Sequence, residues 1–270
     1  MDLTWELNHV VMYSGGIGSW AVAKRVIEQY GTKNVTLLFT DVKGNSENEH
    51  EGEDPDTYRF LKETSEKFGV PLVILRDGRT IWEVFKDTKL LGNSRIAPCS
   101  KILKQEPSFK YLKENFNPEN TFVYLGIDWT EAHRLEGAKK RHSPFKVDSP
   151  LLLPPYLTKN DMLQMCRDEG IEPPALYAKG YAHNNCGGGC VRSGQGGFKH
   201  LLEDNPERFK FWENKEKELQ EYLNNPDITI LRKQENKVSM SLPLHVLRKE
   251  IEQNEDIDSE DIGGCGCFLD

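Results

Sequence analysis

The segment Ser14-Gly15-Gly16-Ile17-Gly18-Ser19 constrains the fold of this chain more than any other. It follows the apolar run His9-Val10-Val11-Met12-Tyr13 and opens an amphipathic stretch that reaches from Trp20 to Tyr30. A short apolar run, a glycine turn and a long periodic stretch read as strand, loop and helix. Glycine lets a backbone come close to a ligand. The first turn of a helix then offers unpaired N–H groups and the positive end of its dipole. Ser14 and Ser19 flank the turn with hydroxyl donors, so the loop is a candidate cradle for phosphate. For these six residues alone, an ordinary glycine-rich turn is the alternative.

The pattern continues through the first half. Residues 9–13, 35–40, 71–75 and 121–127 read as strands, and helices lie near 20–30, 56–68 and 100–116. Such alternation predicts an α/β fold with a Rossmann-like parallel sheet and right-handed crossovers. Ligands of these sheets sit beyond the carboxyl ends of the strands, at the switch in strand order. Residues 14–19 follow the first strand, Asp41 the second, and Asp128 follows Leu125-Gly126-Ile127.

From about residue 150 prolines break the chain into short segments: Pro150, Pro154, Pro155, Pro173 and Pro174. A helix over 160–169, capped by Thr158, is followed by a glycine-rich stretch at 184–197. Helices near 198–202 and 206–223, a hairpin from 228–231 and 237–242, and a last helix over 244–253 complete the reading. The division is an α/β core at 1–150 that carries the glycine loop and an appended cap at 151–270, with no internal repeat. An acidic stretch, 255–261, leads into Gly263-Gly264-Cys265-Gly266-Cys267.

The net charge of −8 argues against a protein built mainly to coat nucleic acid. Lys101, Lys104, Lys110 and Lys113, and also Lys139-Lys140-Arg141, are local basic clusters or merely solvated helix faces. With no run of 18 apolar residues and no charged-then-apolar leader, the expectation is a cytoplasmic chain without a membrane partner. Six cysteines in such a chain point away from structural disulfides. Cys166 sits in an apolar helical run and reads as buried. The other five lie in turn-like or glycine-rich contexts, which favours metal or redox chemistry. Cys186-Gly-Gly-Gly-Cys190 places two thiols on one flexible turn, and Cys99 is a plausible third metal ligand. Cys265, Cys267 or His183 would complete a closed site, and free thiols are the alternative.

The loop is neither of two commoner phosphate loops. No lysine occurs between Met12 and Ala23, as a Walker loop requires, and the dinucleotide fingerprint fails at Ala21. It resembles the Ser-Gly-Gly-x-x-Ser pyrophosphate loop of the adenine-nucleotide alpha-hydrolase superfamily, which includes ATP pyrophosphatases, tRNA sulfur-transferases and phosphoadenosine phosphosulfate (PAPS) reductases. Pro98-Cys99-Ser100-Lys101-Ile102-Leu103-Lys104-Gln105-Glu106-Pro107 is similar to the cysteine-then-Lys-x-x-Pro segment of PAPS reductase-like proteins. Leu125-Gly126-Ile127-Asp128-Trp129-Thr130-Glu131-Ala132-His133-Arg134 is similar to their segment after the fourth strand. Together these segments are spread over residues 9–134.

The resemblance implies that Ser14, Gly15, Gly16, Ile17, Gly18 and Ser19 hold the phosphates of an adenine nucleotide. It places Asp41, Gly126, Lys101 and Lys104 near that nucleotide. Two positions depart from the pattern. ATP-using members usually carry Asp where this chain has Gly18. Reductases usually carry Arg, holding the sulfate end, where this chain has Asp128. An acid there repels sulfate, and the Gly15-Gly16 pair looks more like the ATP-using branch. Some thiolating members bind a [4Fe-4S] cluster through three cysteines, the role implied here for Cys99, Cys186 and Cys190, with Zn2+ as the other metal to consider. Reductases keep a nucleophilic cysteine on a C-terminal tail, a position shared by Cys265 and Cys267. These two and Asp128 are the candidate catalytic residues.

The expectation is therefore an enzyme that uses ATP with Mg2+ and splits it into AMP and pyrophosphate. It would adenylate an acceptor (tRNA, DNA or a small molecule) for sulfur transfer, with a sulfur donor or thiol reductant as partner. One alternative is a sulfonucleotide reductase using a tail cysteine, and another is a non-catalytic nucleotide-binding protein with a structural metal. The acidic stretch Glu47, Glu49, Glu51, Glu53 and Asp54 is read as a Mg2+ site or, more simply, a solvated loop.

Overall fold

A computed structural model of the chain describes residues 6–93, 95–235, 237–255 and 257–264. Strand β1 (Asn8–Met12) is buried over its last four residues, as its unbroken apolar run requires of a strand covered on both faces. Helix α1 (Ile17–Tyr30) turns Trp20, Ala21, Val22, Ala23 and Val26 inward and stops at Gly31, whose φ of 77° ends the helix. Strand β2 (Val35–Asp41) follows, then α2 (Pro55–Phe68), which is capped by Asp54 and terminated by the left-handed Gly69. Strand β3 (Leu72–Arg76) leads to α3 (Ile81–Thr88), opened by a capping box between Thr80 and Glu83.

The predicted single helix over 100–116 is two elements. Ser100–Gln105 is wound as a π-helix and passes into α4 (Glu106–Asn115). Pro107 has no N–H to return to the preceding turn, and the winding changes just before it. Strand β4 (Thr121–Tyr124) is shorter than the apolar run that predicted it: Leu125 keeps one bond to the neighbouring strand, its N–H donating to the Asp148 carbonyl at 3.1 Å, and the chain then leaves the sheet. After α5 (Leu135–His142) comes a three-residue edge strand, β5 (Lys146–Asp148). The five strands are parallel throughout and lie in the order β3-β2-β1-β4-β5. Strand order switches between β1 and β4, so the crevice expected of this fold opens between the ends of those two strands.

The rest of the chain is mainly helical: α6 (Lys159–Asp168), α7 (Ala175–Ala178), α8 (Gln195–Asp204) and α9 (Pro206–Leu223). The antiparallel hairpin β6 (Leu231–Glu235) and β7 (Val238–Leu242) precedes α10 (Leu244–Glu252). The first hairpin strand begins at Leu231 rather than 228, since the Ile230 N–H donates to the Glu216 carboxylate on α9 instead of entering the ladder. One apolar cluster joins the two halves: Trp82, Phe85 and Leu103 from the first pack with Phe198, Phe209, Trp212 and Leu247 from the second. Among the described residues, no helix is long and apolar enough to cross a membrane.

Candidate nucleotide site

The glycine loop lies where β1 ends. Gly15 has φ of +77°, and a Cβ there would sit 2.6 Å from Thr57 Cγ2, so only glycine fits this corner. Ser14 Oγ accepts from the Gly16 N–H at 3.4 Å, and Ser19 Oγ donates to the Gly16 carbonyl at 2.8 Å. The two serines thus brace the turn from within. Gly16 caps α1 without a side-chain acceptor. Of the first amides, Ile17 N–H donates to the Tyr177 hydroxyl at 3.0 Å. Those of Gly18 and Ser19 make no hydrogen bond among the described residues. Two open donors at a positive helix end are suited to seat an anion.

Gly126 faces this seat from beyond β4: a Cβ on it would lie 3.4 Å from the Ser19 amide nitrogen. Ser149 fixes this wall, its hydroxyl lying 2.7 Å from the Leu125 carbonyl and 2.6 Å from that of Ile127. Asp128 accepts from the Thr130 N–H at 2.8 Å and so caps the short 3-10 turn Trp129–Arg134. It also borders the crevice, where its charge acts on Lys159. The crevice has a volume of about 360 Å³ and is lined by Ser14, Gly16, Ile17, Gly18, Ser19, Lys104, Gly126, Asp128, Lys159, Tyr177, His183 and Asn184, among others.

Four of these residues come from the cap side, and Lys159, Tyr177 and Asn184 had no role in the sequence reading. Lys159 Nζ donates to the Ala182 carbonyl at 2.6 Å, and burial lowers its pKa from the usual lysine value. Burial, then Lys159 and Arg134, holds His183 below the ordinary histidine range, leaving a neutral ring at pH 7. Asn184 is buried and donates to the Gly15 carbonyl at 2.9 Å and to Thr57 Oγ1 at 3.0 Å. A single polar residue far along the chain leaves no periodic signal, so only the folded contacts reveal these roles.

Lys104 is the buried cation that the first half of the chain brings to the crevice. It and Glu53 are both buried and pair at 3.2 Å, and the other Glu53 oxygen accepts from the Cys186 N–H. Glu53 therefore departs from the solvated loop read for the acidic stretch, whereas Glu47 and Glu49 are exposed. The π-winding brings Cys99 and Lys104, five residues apart, to a common side. Both line a second, narrow cavity together with Cys186 and Cys190. The hydrogen bond with Cys190, burial and the neighbouring Glu53 push the Cys186 thiol well above its ordinary pKa.

Three thiols are the right chemistry for a soft metal. The cavity they share nevertheless measures only about 10 Å³. Among the described residues no group of three or more His, Cys, Asp or Glu side chains is arranged to hold a metal ion. Cys99, Cys186 and Cys190 therefore share one narrow cavity without being grouped, as placed, as metal ligands. The glycines between the cysteines have another cause: Arg208 lies against Gly187, whose φ is +57°, where a Cβ would meet the guanidinium carbon at 2.0 Å. The turn is glycine-rich because it is packed upon.

Several expected residues stand elsewhere. Asp41 is buried at the end of β2, but Tyr58 donates to one of its oxygens at 2.8 Å and Arg76 to the other at 2.9 Å, so it is bound within the sheet edge and does not border the crevice. Lys101 is exposed and does not border it either; the buried side of its helix carries Ser100, Leu103 and Lys104. Cys166 is fully buried, and burial with the nearby Glu172 and Glu63 carboxylates pushes its thiol up to about 12. Cys265 and Cys267 lie outside the described residues. The described chain before them packs on the glycine-rich stretch, Gly196 N–H donating to the Asp261 carbonyl at 2.9 Å. Ile262 and Gly264 border a cavity of about 120 Å³ shared with His183 and Cys190.

No known family profile matches the chain. An uncharacterized protein of Methanocaldococcus jannaschii is 22% identical over 208 residues, 76% of this chain and 40% of that protein. The chain thus spans about two fifths of the length of the curated relative it matches. Similar solved structures include the NH3-dependent NAD synthetase of Campylobacter jejuni (12% identity, 82% of this chain, 85% of that one, TM-score 0.42). The U34-tRNA thiolase of Methanococcus maripaludis, solved with its [4Fe-4S] cluster, is another (16% identity, 80% and 73%, TM-score 0.45). A predicted subunit of a tRNA methyltransferase from M. jannaschii is a third (14% identity, 62% and 90%, TM-score 0.36). With five parallel strands, a glycine loop behind β1 and a crevice at the switch in strand order, the chain has the Rossmann-like fold that its motifs imply for the adenine-nucleotide alpha-hydrolase superfamily.

Proposed function

We propose that the chain is an ATP-using enzyme of the PAPS reductase-like group, in which an acceptor is adenylated for sulfur transfer. One observation carries the reading: the open amides of Gly18 and Ser19 share a crevice with the buried cation Lys104, which also borders the cavity of three cysteines. Amides and ammonium suit a pyrophosphate group that gains charge as it leaves. An acceptor oxygen attacks the α-phosphorus, the bond to the bridging oxygen breaks, and pyrophosphate departs from the loop. The outer sulfur of a cysteine persulfide, loaded by a separate sulfur donor, then displaces AMP and leaves the acceptor joined to that cysteine through a disulfide. A second thiol breaks the disulfide to release the thiolated acceptor, and an external thiol reductant reduces the cysteine pair that results. Mg2+ would be held by the phosphates themselves, since Gly18 has no carboxylate and Asp41 is engaged by Arg76 and Tyr58. Calorimetric titration with ATP–Mg2+, followed by assay of pyrophosphate release with candidate acceptors, tests the reading. Absence of ATP binding would overturn it.

A second reading, a sulfonucleotide reductase, draws support from the tail, because Ile262 and Gly264 border the cavity that holds Cys190. On that reading Cys265→Ser with Cys267→Ser abolishes sulfite release from PAPS. Unchanged release would exclude it.

A further inference from the structure

The first amide of the phosphate loop is already occupied. Ile17 N–H, at the first position of the 14-residue α1, donates to the Tyr177 hydroxyl oxygen at 3.0 Å. A Cβ on Gly16 would lie 3.2 Å from the same oxygen, so the hydroxyl sits within the cradle rather than at its rim. Tyr177 belongs to the four-residue α7, whose start is tied to α2 by the Ala175 N–H, which donates to Asp56 Oδ2 at 2.8 Å. Seven residues later Asn184 grips the same loop through the Gly15 carbonyl and Thr57. The cap therefore holds the loop at two points. Only one of them, the tyrosine, takes a donor that an anion would use; the asparagine takes an acceptor that an anion would leave alone.

We infer that Tyr177 is a latch on the anion seat: its oxygen stands where a phosphate oxygen docks, and a bound pyrophosphate group displaces it from Ile17. An N–H has one proton to give, and a charged phosphate oxygen is a stronger acceptor than a neutral phenol. Displacement therefore runs toward the anion once the amides of Gly18 and Ser19 have engaged it. Asn184 keeps the cap seated while the tyrosine yields, so binding frees one cap–loop bond and leaves the other. The inference rests on the proposal that residues 14–19 bind phosphate, and it adds a residue that sets the affinity of that seat.

The test is calorimetry of inorganic pyrophosphate and of ATP–Mg2+ on the full chain, wild type against Tyr177→Phe, with hydrogen exchange of the Ile17 amide in the unliganded proteins. The phenylalanine keeps the ring and its packing, so folding is preserved and is checked by thermal unfolding. A latch predicts faster exchange at Ile17 in the variant and binding about three- to tenfold tighter, the worth of one neutral hydrogen bond no longer in competition. Binding by the variant alone would also support the latch. Weaker or equal binding in the variant would overturn the latch while leaving the loop a phosphate site. No binding of either ligand to either protein would overturn the underlying reading as well.

Discussion

Asn184 donates its side-chain amide to the carbonyl oxygen of Gly15 across 2.9 Å, joining the second half of the chain to the glycine loop of the first. The same nitrogen reaches Thr57 Oγ1 at 3.0 Å, and Asn184 is almost wholly buried. A carbonyl can only accept, so this arrangement fixes which end of the amide faces the loop.

Asn184→Leu keeps the branching of the side chain but leaves the Gly15 carbonyl without this donor. The expected cost is about 1–3 kcal/mol in denaturant unfolding, as for a buried polar group that loses its partner. ATP affinity is expected to fall in parallel, since the loop loses its brace. Unchanged stability with unchanged affinity would show that the contact does not hold the loop.

Two substitutions in the loop should differ sharply. Gly15→Ala meets Thr57 at 2.6 Å and must hold φ near +77°, a combination expected to cost at least ~1–2 kcal/mol and to weaken nucleotide binding. At Gly18 a Cβ would have only the Gly126 carbonyl nearby, at 3.9 Å, and φ lies outside the left-handed region. Gly18→Asp should fold normally, and its carboxylate, restoring the residue usual in ATP-using members, should make ATP binding more dependent on Mg2+. Thermal unfolding and calorimetry with and without Mg2+ check both.

The buried pair Lys104 and Glu53 gives a third test. Lys104→Met leaves the Glu53 carboxylate buried without its cation, with an expected loss of about 3–5 kcal/mol. Lys104→Met combined with Glu53→Gln should recover much of that stability but not the nucleotide affinity, because the ammonium group of Lys104 is still missing from the crevice. Recovery of both would remove Lys104 from the site.

How much of this was written in the sequence depends on the range of each interaction. The run 9–13, the glycine loop and the amphipathic stretch behind it are local, and β1, the loop and α1 lie where that pattern puts them. The edge strand β5 has three residues and no periodicity to read. The π-turn at Ser100–Gln105 looks helical in sequence and differs only in winding, yet that winding separates Lys104, which borders the crevice, from Lys101, which does not. Asp41 follows its strand as expected, but Arg76 and Tyr58, distant in sequence, take both of its oxygens. Glu53 resembles its acidic neighbours until Lys104 and the Cys186 amide enclose it.

Glu216 gives the fold a pH dependence of known sign. It is buried on α9 and accepts from the N–H groups of Ile230 at 2.9 Å and Leu244 at 2.7 Å. Burial outweighs these two bonds and raises its pKa to about 7 from an ordinary 4.5. The folded state then holds a proton that the unfolded state releases, so this residue's contribution to stability is full below pH 4.5 and is lost as pH rises to about 7. The loss is on the order of 3 kcal/mol. Glu216→Gln should remove this slope from the difference between the two unfolding curves measured from pH 4.5 to 7. A parallel pair of curves would contradict the assignment.

The central claim is that residues 14–19 and Lys104 bind an adenine nucleotide by its phosphates. The most direct measurement is calorimetry on protein purified without oxygen, with ATP–Mg2+ and PAPS titrated side by side into the wild type and into Lys104→Met with Glu53→Gln. The account predicts binding of ATP–Mg2+ by the wild type, little or none of PAPS because Asp128 borders the crevice, and loss of ATP binding in the double variant. PAPS binding in preference to ATP would turn the site into that of a reductase. No binding of either nucleotide would contradict the account altogether.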